Sequence, residues 1–331
     1  MSEPILSLRE LSVSAQTPQG PRAIVDRVSF DLDPGEILGL VGESGSGKSV
    51  TCRALIRLLP SSTLSITGGS ILSQGEEVLT MDDQRLRRLR GGSIGMIFQN
   101  PTSHLDPVMS IGDQIMESVR HHRSVGKKDA RDRAIEVLTQ VGIPDPVHRL
   151  TNYPHEFSGG MRQRAMIAVA LACDPDVLIA DEPTTALDVT VQAQILRLLM
   201  DLRDRNGLSI ILITHDLGIV AQSCDGVAVM YGGRICERGP MRTILSDAKH
   251  PYTAGLIACQ PGEAPKGQPV RTIPGQPPTV GAMPSGCRFH PRCAKAQADC
   301  AVTQPAMVAL APDHDLACHH PLGSSEGGLS A

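Results

Sequence analysis

Residues 42–49 of the chain read Gly42-Glu43-Ser44-Gly45-Ser46-Gly47-Lys48-Ser49, and this stretch decides the fold. It matches G-x-x-x-x-G-K-[ST], the pattern of a loop between a strand and a helix that wraps around phosphate groups. The glycines let successive backbone N–H groups point inward, and the helix that starts near Lys48 adds the positive end of its dipole. We expect Lys48 to neutralise β- and γ-phosphates and the Ser49 hydroxyl to bind Mg²⁺. The alternative is an ordinary Gly/Ser turn, and the flanking strand and helix argue against it.

Strand and helix patterns alternate on both sides of this loop, which predicts an α/β domain with a mainly parallel core sheet. The predicted strands are Ile5–Val13, Val25–Leu32, Glu36–Val41, Ile94–Phe98, Val177–Ala180 and Ser209–Thr214. A predicted helix begins near Lys48 and stops before Pro60, and the others cover Ile111–His122, Lys128–Val141, Met161–Cys173 and Val189–Arg205. Gly207 follows the last of these, as a C-cap predicts. The strand-rich opening indicates an antiparallel flank.

Two acids follow the apolar strand Val177–Ala180 directly. In a sheet of this type they lie at the same edge as the phosphate loop. Asp181 suits the Mg²⁺ shell, directly or through water, and Glu182 is a candidate base for an attacking water molecule. Alone the pair is a weak signal, since an exposed pair in a loop is more common. The phosphate loop upstream favours the functional interpretation.

A second anion site is predicted in Phe157-Ser158-Gly159-Gly160-Met161-Arg162-Gln163-Arg164. Ser-Gly-Gly opens a helix there and offers free N–H groups and a hydroxyl. One loop already covers the phosphates of this chain's own nucleotide. The second site therefore suggests contact with a nucleotide bound to another subunit.

Taken together, these motifs resemble the ABC ATPase family from about Ile5 to His320. In the order of that family, Gly42–Ser49 corresponds to Walker A, Gln99 in IFQNP to the Q-loop glutamine, Ser158–Gln163 to the signature motif, Val177–Glu182 to Walker B, Ala186-Leu187-Asp188 to the D-loop and His215 in ITHD to the switch histidine. Phe157 stands where Leu is commoner. The resemblance implies a P-loop NTPase core with a parallel sheet, an antiparallel flank and a helical signature subdomain.

The same resemblance implies an ATPase that works as a head-to-tail pair. Each ATP would lie between the Walker A loop of one subunit and Ser158, Gly159, Gly160, Gln163 and Asp188 of the other. Ser49, Gln99 and Asp181 would surround Mg²⁺, Glu182 would act as the base, and His215 would contact the γ-phosphate. Gln99 would also couple to a membrane subunit.

One departure from the family pattern is Ala15. It stands where the family usually stacks an aromatic ring on adenine, so modest nucleotide affinity and loose base selectivity are expected.

The later part of the chain narrows the resemblance. His250-Pro251-Tyr252-Thr253-Ala254-Gly255-Leu256, Ile273–Pro278 and Gly286–Cys293 resemble the C-terminal extension of oligopeptide and dipeptide importer ATPases. Nickel and glutathione-type systems share this extension and are the alternatives. A non-transport ABC ATPase is less favoured, because this chain has one P-loop and no long coiled-coil insertion. A P-loop kinase or GTPase would lack Ser158–Gly160.

The motifs and the C-terminal resemblance together predict the domain boundaries. We predict an ATPase domain at 1–259, a loop-rich extension at 260–320 and a disordered tail at 321–331.

Four cysteines cluster in the extension: Cys287, Cys293, Cys300 and Cys318. Little apolar content is available there to build a core, and metal ligation can supply folding energy instead. Four sulfurs suit zinc or an iron–sulfur cluster, and the spacing lacks the C-x-x-C pairs of most zinc ribbons. The resemblance favours a four-iron, four-sulfur cluster, with zinc and four unligated thiols as alternatives. The nearby His290, His314, His319 and His320 are interpreted as solvated surface side chains.

Composition limits where the chain can work. The 331 residues carry a formal net charge of −4, no Trp and few other aromatic residues, which argues against nucleic-acid binding. The N-terminus lacks the pattern of a signal peptide, and the apolar run Ala165–Cys173 is far shorter than the roughly 20 residues of a membrane span. We expect a peripheral protein on the cytoplasmic face of the membrane. The resemblance implies as partners a related second ATPase, two permease subunits and an extracytoplasmic peptide-binding protein.

Overall fold

A computed structural model of the chain describes residues 3–185, 187–260 and 272–323. The chain divides into two compact units. The helical unit comprises Met1–Ile5, Asp33–Glu36 and Thr80–Leu212, and the sheet unit comprises Leu6–Leu32, Ile37–Leu79 and Ile213–Ala331. Parts of three predicted features fall outside the described residues: Ala186 of the D-loop, residues 261–271 of the loop-rich extension and residues 324–331 of the tail.

In chain order the strands are β1 (Leu6–Thr17), β2 (Gly20–Leu32), β3 (Ile37–Val41), β4 (Leu64–Ser73), β5 (Glu76–Glu77), β6 (Ile94–Ile97), β7 (Val177–Asp181), β8 (Ser209–Thr214), β9 (Gly226–Tyr231), β10 (Arg234–Pro240), β11 (Val308–Ala311) and β12 (His314–Leu316). The helices are α1 (Lys48–Leu55), α2 (Asp83–Leu89), α3 (Pro101–His104), α4 (Ile111–Arg123), α5 (Lys127–Gln140), α6 (Pro146–Arg149), α7 (Gly159–Ala170), α8 (Val189–Asn206), α9 (Leu217–Ser223), α10 (Met241–Ser246), α11 (Pro251–Ala258) and α12 (Ala298–Val302).

The sheet unit begins with the predicted antiparallel flank, in the order β2-β1-β4-β5. Buried Leu6 and Leu8 follow the two-residue period of a strand, but the next buried residue is Leu11. A bulge accounts for this three-residue step, since the pairing register shifts there and Glu10 has a φ of 49°. The strand therefore returns its apolar side chains to the same face after the bulge.

A second set of strands in the sheet unit runs in the order β11-β12-β10-β9-β3. The pairing of β3 with β9 is parallel, and the remaining pairs are antiparallel. Val41 and Val229 of this set pack in one core with Tyr231, Tyr252 and Phe289. The C-terminal extension thus contributes both strands and a core aromatic ring to the sheet unit.

The helical unit contains β6, β7 and the first four residues of β8, and β6 and β7 are parallel. Its long helix α8 has the predicted ends: the Asp188 side chain accepts a hydrogen bond from Val191 N at 2.9 Å, and Gly207 closes the helix with a φ of 65°. Buried Arg133 donates to the carbonyl oxygens of Leu171 and Ala172, both at 3.1 Å, just beyond the end of α7. Searched over the described residues, no helix is long and apolar enough to cross a bilayer.

Candidate functional site

The phosphate loop lies in the sheet unit between β3 and α1, as its sequence predicts. Its glycines at 42, 45 and 47 have φ values of 156°, 80° and 99°. At Gly42 a Cβ atom would stand 2.1 Å from the carbonyl oxygen of Met230, so only glycine fits there. The loop is therefore both sharply curled and closely backed by β9.

Lys48 occupies the position that the motif requires. Its side chain is buried, and Nζ donates to the carbonyl oxygens of Gly42 at 2.6 Å and Glu43 at 3.0 Å and to Ser46 Oγ at 3.3 Å. These bonds hold the ammonium group inside the curl of the loop. Ser44 and Gly45 are exposed at its tip, so a ligand can reach the loop.

In the helical unit, the acidic pair ends β7. Asp181 is buried, whereas Glu182 is partly exposed and has a φ of 48°. A non-glycine residue in the left-handed region costs energy and is common at functional sites. Glu182 Oε2 accepts hydrogen bonds from Gln99 Nε2 and Thr185 Oγ1, both at 2.8 Å. The structure thus joins two predicted site residues, Gln99 and Glu182, that are 83 positions apart.

The helix α7 carries the predicted second anion site at its N-terminus. Ser158 caps the helix by accepting a hydrogen bond from Met161 N at 3.4 Å, and Ser158 and Gly159 are exposed. Gly160 packs so closely that a Cβ atom would lie 2.9 Å from Val191 of α8. Gln163 differs from these residues, because it is only 2% exposed and its Nε2 has no hydrogen-bond partner among the described residues. In this conformation Gln163 is turned into the protein and is not presented beside Ser158.

The remaining motif residues are on exposed loop positions. Asp188 of the D-loop caps α8, and His215 follows β8 immediately. Next to His215, Asp216 turns the chain by accepting a hydrogen bond from Gly218 N at 2.8 Å and capping α9. Ala15 lies on β1 opposite Arg22 of β2, with no aromatic residue on either neighbouring partner position, since Leu64 pairs on the other side.

The four clustered cysteines come together in the sheet unit. Burial raises the pKa of the Cys287 and Cys293 thiols and raises that of Cys318 to about 11, and the other clustered thiols add to each shift. The Cys287 N–H donates to the Cys300 carbonyl oxygen at 2.8 Å, which ties two of the four positions directly. Over the described residues, Asp299, Cys300 and His320 form a group of three whose metal-type ligand atoms all lie within 4.8 Å of one another.

The histidines of the extension are not all solvated, and the prediction for His314 was wrong. His314 is 4% exposed, and its Nε2 lies 3.0 Å from Oε1 of the fully buried Glu237. Glu237 also accepts hydrogen bonds from the backbone N–H groups of Lys249 at 2.7 Å and His250 at 3.0 Å. A buried carboxylate needs such partners, and His314 comes from a strand 77 residues away that the sequence pattern does not reveal.

A contact between the phosphate loop and the extension is also not predicted from the sequence. The Arg292 guanidinium group pairs with the Glu43 carboxylate through Nη1–Oε2 at 2.5 Å and Nη2–Oε1 at 3.0 Å. Nothing in the sequence links two charged residues that are 249 positions apart.

Known proteins resemble this chain over most of its length. A sequence model described as "ABC transporter" matches residues 25–185, and a model described as "Oligopeptide/dipeptide transporter, C-terminal region" matches residues 236–300. A putative peptide import ATP-binding protein of Brucella abortus is 51% identical over 92% of this chain and 91% of its own length. The chain belongs to the ABC transporter ATP-binding proteins of the oligopeptide/dipeptide family. The dipeptide transport ATP-binding protein DppD of Bacillus subtilis is another relative, 46% identical over 96% of this chain and 94% of its own length.

Solved ABC ATPases share the fold. The cbiO1 protein of Clostridium perfringens, part of the ABC transporter complex cbiONQ, matches with a TM-score of 0.63 and 28% identity, over 73% of this chain and 91% of its own. The bacterial ABC transporter cassette MJ0796, solved as a dimer, matches with a TM-score of 0.64 and 25% identity, over 72% and 99%. The predicted fold class, an ABC ATPase core of mixed α/β structure, is confirmed.

Proposed function

We propose that this chain binds and hydrolyses ATP to energise the import of dipeptides and oligopeptides. The observation that carries the proposal is the curled loop around the buried Lys48 ammonium group at the start of α1. Such a loop is an anion site suited to nucleotide phosphates. The peptide substrate is supported by the C-terminal family match and by the names of the two relatives.

The main predicted site residues have distinct roles in this proposal. Lys48 and the N–H groups of the loop bind the β- and γ-phosphates, and Ser49 and Asp181 supply oxygen ligands of the kind that Mg²⁺ prefers. Glu182 is the base that takes a proton from the attacking water molecule. Its hydrogen bonds to Gln99 and Thr185 hold its carboxylate in one orientation while Gln99 is free of nucleotide-bound Mg²⁺. Ser158 and Gly159 offer an exposed helix N-terminus to the γ-phosphate of a facing subunit, and His215 orients the water.

The decisive experiment separates binding from chemistry. In the assembled transporter, Glu182→Gln should keep ATP affinity and lose nearly all turnover, because the amide cannot accept the proton. Lys48→Ala should lose ATP binding itself, because the phosphates lose their buried cation. Fluorescent-nucleotide binding and phosphate release measure the two effects. Near-normal turnover of Glu182→Gln would show that another group is the base.

We propose further that the chain works at the cytoplasmic face of the membrane with other subunits. These are a related second ATPase, two permeases and an extracytoplasmic peptide-binding protein, as the import and transport names of the relatives suggest. Extraction from membranes with mild detergent should recover the chain together with integral subunits. Deletion of its gene should abolish uptake of labelled dipeptide, and Glu182→Gln should not restore it. Recovery of the chain alone, with unchanged peptide uptake in the deletion strain, would contradict this part.

We propose that Cys287, Cys293, Cys300 and Cys318 hold a four-iron, four-sulfur cluster. A tetrahedral zinc site with Zn–S bonds of about 2.3 Å would bring all its sulfurs within about 4 Å of one another. Among the described residues no group of three of these sulfurs is that close. The chemistry of the proposed cluster would be structural or redox-sensing. The raised thiol pKa values mean that binding must release protons.

Anaerobic purification with iron, sulfide and zinc analysis and a visible absorption spectrum tests the cluster. Cys300→Ser should lose the colour and the iron, whereas Cys259→Ser, outside the group, should keep both. Stoichiometric zinc in a colourless protein would assign zinc instead, and a folded metal-free protein would remove the site.

A further inference from the structure

The side chain of Arg292 links the C-terminal extension to the phosphate loop. It lies on the short turn between Cys287 and Cys293 and is only 5% exposed. Two of its N–H groups bind the Glu43 carboxylate, as described above. The others donate to Tyr231 Oη at 3.2 Å, to the Ile273 carbonyl oxygen at 3.3 Å and to the Pro274 carbonyl oxygen at 2.8 Å. All five donors of the guanidinium group are therefore used, so its position is fixed.

An aromatic cluster, made of Tyr231, Tyr252 and Phe289, surrounds this contact. Its ring centroids lie 4.6 to 5.3 Å apart, and the Arg292 guanidinium carbon is 5.7 Å from the Tyr231 ring centre. The cluster also holds the loop backbone, because Glu43 N–H donates to Tyr252 Oη at 2.9 Å. Arg292 of the extension thus binds the side chain of Glu43, and Tyr252 of α11 binds its backbone.

The charge of Glu43 explains why its pairing with Arg292 would affect ATP binding. A carboxylate within an anion-binding loop repels phosphate unless a cation cancels its charge. Arg292 supplies that cation through two charge-assisted bonds, which also pull the carboxylate toward the extension. Earlier in the extension, Pro277 and Pro278 line a crevice together with Glu43, Ser44 and Ser46.

We propose that Arg292 is a positioning residue for ATP binding: it neutralises Glu43 and fixes the phosphate loop, so that the extension sets nucleotide affinity. The inference rests on the proposed role of residues 42–49 as the ATP phosphate site. It does not require a particular metal at the cysteines. Loss of Arg292 should leave an uncompensated carboxylate in the loop, whereas loss of both charges should be better tolerated.

The test is a double-mutant cycle in the assembled transporter, with kcat and KM for ATP and fluorescent-nucleotide affinity as readouts. Arg292→Gln should raise KM about tenfold with kcat within about twofold, since a lost charge-assisted pair in a part-buried position has an effect of this order. Glu43→Gln/Arg292→Gln should return KM to within about threefold of the unaltered protein. Arg292→Lys should lie between Arg292→Gln and the unaltered protein, because it restores the charge without the paired bonds.

The matched control is Arg238→Gln. Arg238 binds Asp315 of the extension through Nε at 3.0 Å. This pair does not include a residue of the phosphate loop. Both single variants are expected to lower the melting temperature, but only Arg292→Gln should raise KM. The inference is overturned if Arg238→Gln raises KM as much, or if the double variant is at least as impaired as Arg292→Gln. If Lys48→Ala leaves ATP affinity unchanged, the proposed phosphate site itself fails, which is a distinguishable result.

Discussion

Acidification should destabilise the fold through His250. This side chain is 2% exposed and caps α11, with its Nδ1 accepting a hydrogen bond from Tyr252 N at 3.0 Å. Burial lowers the pKa of His250 from 6.5 to about 4. In the unfolded chain the ring takes up a proton below about pH 6.5, while the folded protein resists protonation until about pH 4. Stability contributed by the neutral ring is therefore complete above pH 6.5 and is lost progressively as the pH falls through this window.

The size of the effect follows from linkage. The lowering of the His250 pKa from 6.5 to about 4 corresponds to about 3 kcal/mol of folding stability once the pH is well below 4, and about 2 kcal/mol of it is lost by pH 5. Urea unfolding followed by circular dichroism at several pH values from 7.5 to 4.5 measures this loss. His250→Asn keeps an oxygen acceptor for the helix cap but does not titrate, so its stability should fall by about 2 kcal/mol less between pH 7.5 and pH 5. Equal losses in the two proteins would refute this account of His250.

Two further changes test the nucleotide site. Gly42→Ala should abolish fluorescent-nucleotide binding, since its Cβ atom would lie 2.1 Å from the Met230 carbonyl oxygen, whereas Gly281→Ala, in open space, should bind normally; normal binding by Gly42→Ala would show that the loop can shift at no cost. Ala15→Tyr should tighten ATP binding about fivefold or more and sharpen the preference for ATP over GTP, because base stacking on an aromatic ring contributes about 1–3 kcal/mol. Ala15→Leu is the control for bulk, and unchanged affinity by calorimetry would mean that another side chain, with Arg22 opposite Ala15 as one candidate, already holds the base.

Local chemistry explains which elements the sequence predicts well. The phosphate loop, the buried strand β7 and the helix α8 with its Gly207 cap each depend on residues close together in the chain. By contrast, β4 carries Gly68 and Gly69 in its middle, a pattern typical of a turn. In the structure Gly69 has a φ of 96° and its missing Cβ leaves room for Leu11 of β1, so the glycine marks a bulge within a strand. That distinction depends on the partner strand.

The site residues also divide into those that a local motif predicts and those that depend on distant parts of the chain. Motifs predict Gln99, Ser158 and Glu182 as site residues, and the structure places them at or just beyond strand and helix ends, with Gln99 and Ser158 exposed and Glu182 partly exposed. The burial of Gln163 could not be read from its motif, because it depends on which face of α7 packs inward. The pairing of Glu43 with Arg292 and of Glu237 with His314 joins distant segments by charge, and many acid–base combinations in the chain would have looked equally plausible.

The pairing of β10 with β12 has a consequence for anyone who shortens this protein. Glu237 pairs with Leu316 and Arg238 with Asp315 across the two strands, and Leu322 N–H still donates to the Lys249 carbonyl oxygen at 2.9 Å. A chain ended after residue 259 would uncover the side of β10, and unpaired strand edges invite neighbouring molecules to add their own strands. It would also strip Glu237 of its histidine partner and leave a buried carboxylate with one contact fewer. Insoluble aggregates, rather than a smaller working enzyme, are the expected product of such a truncation.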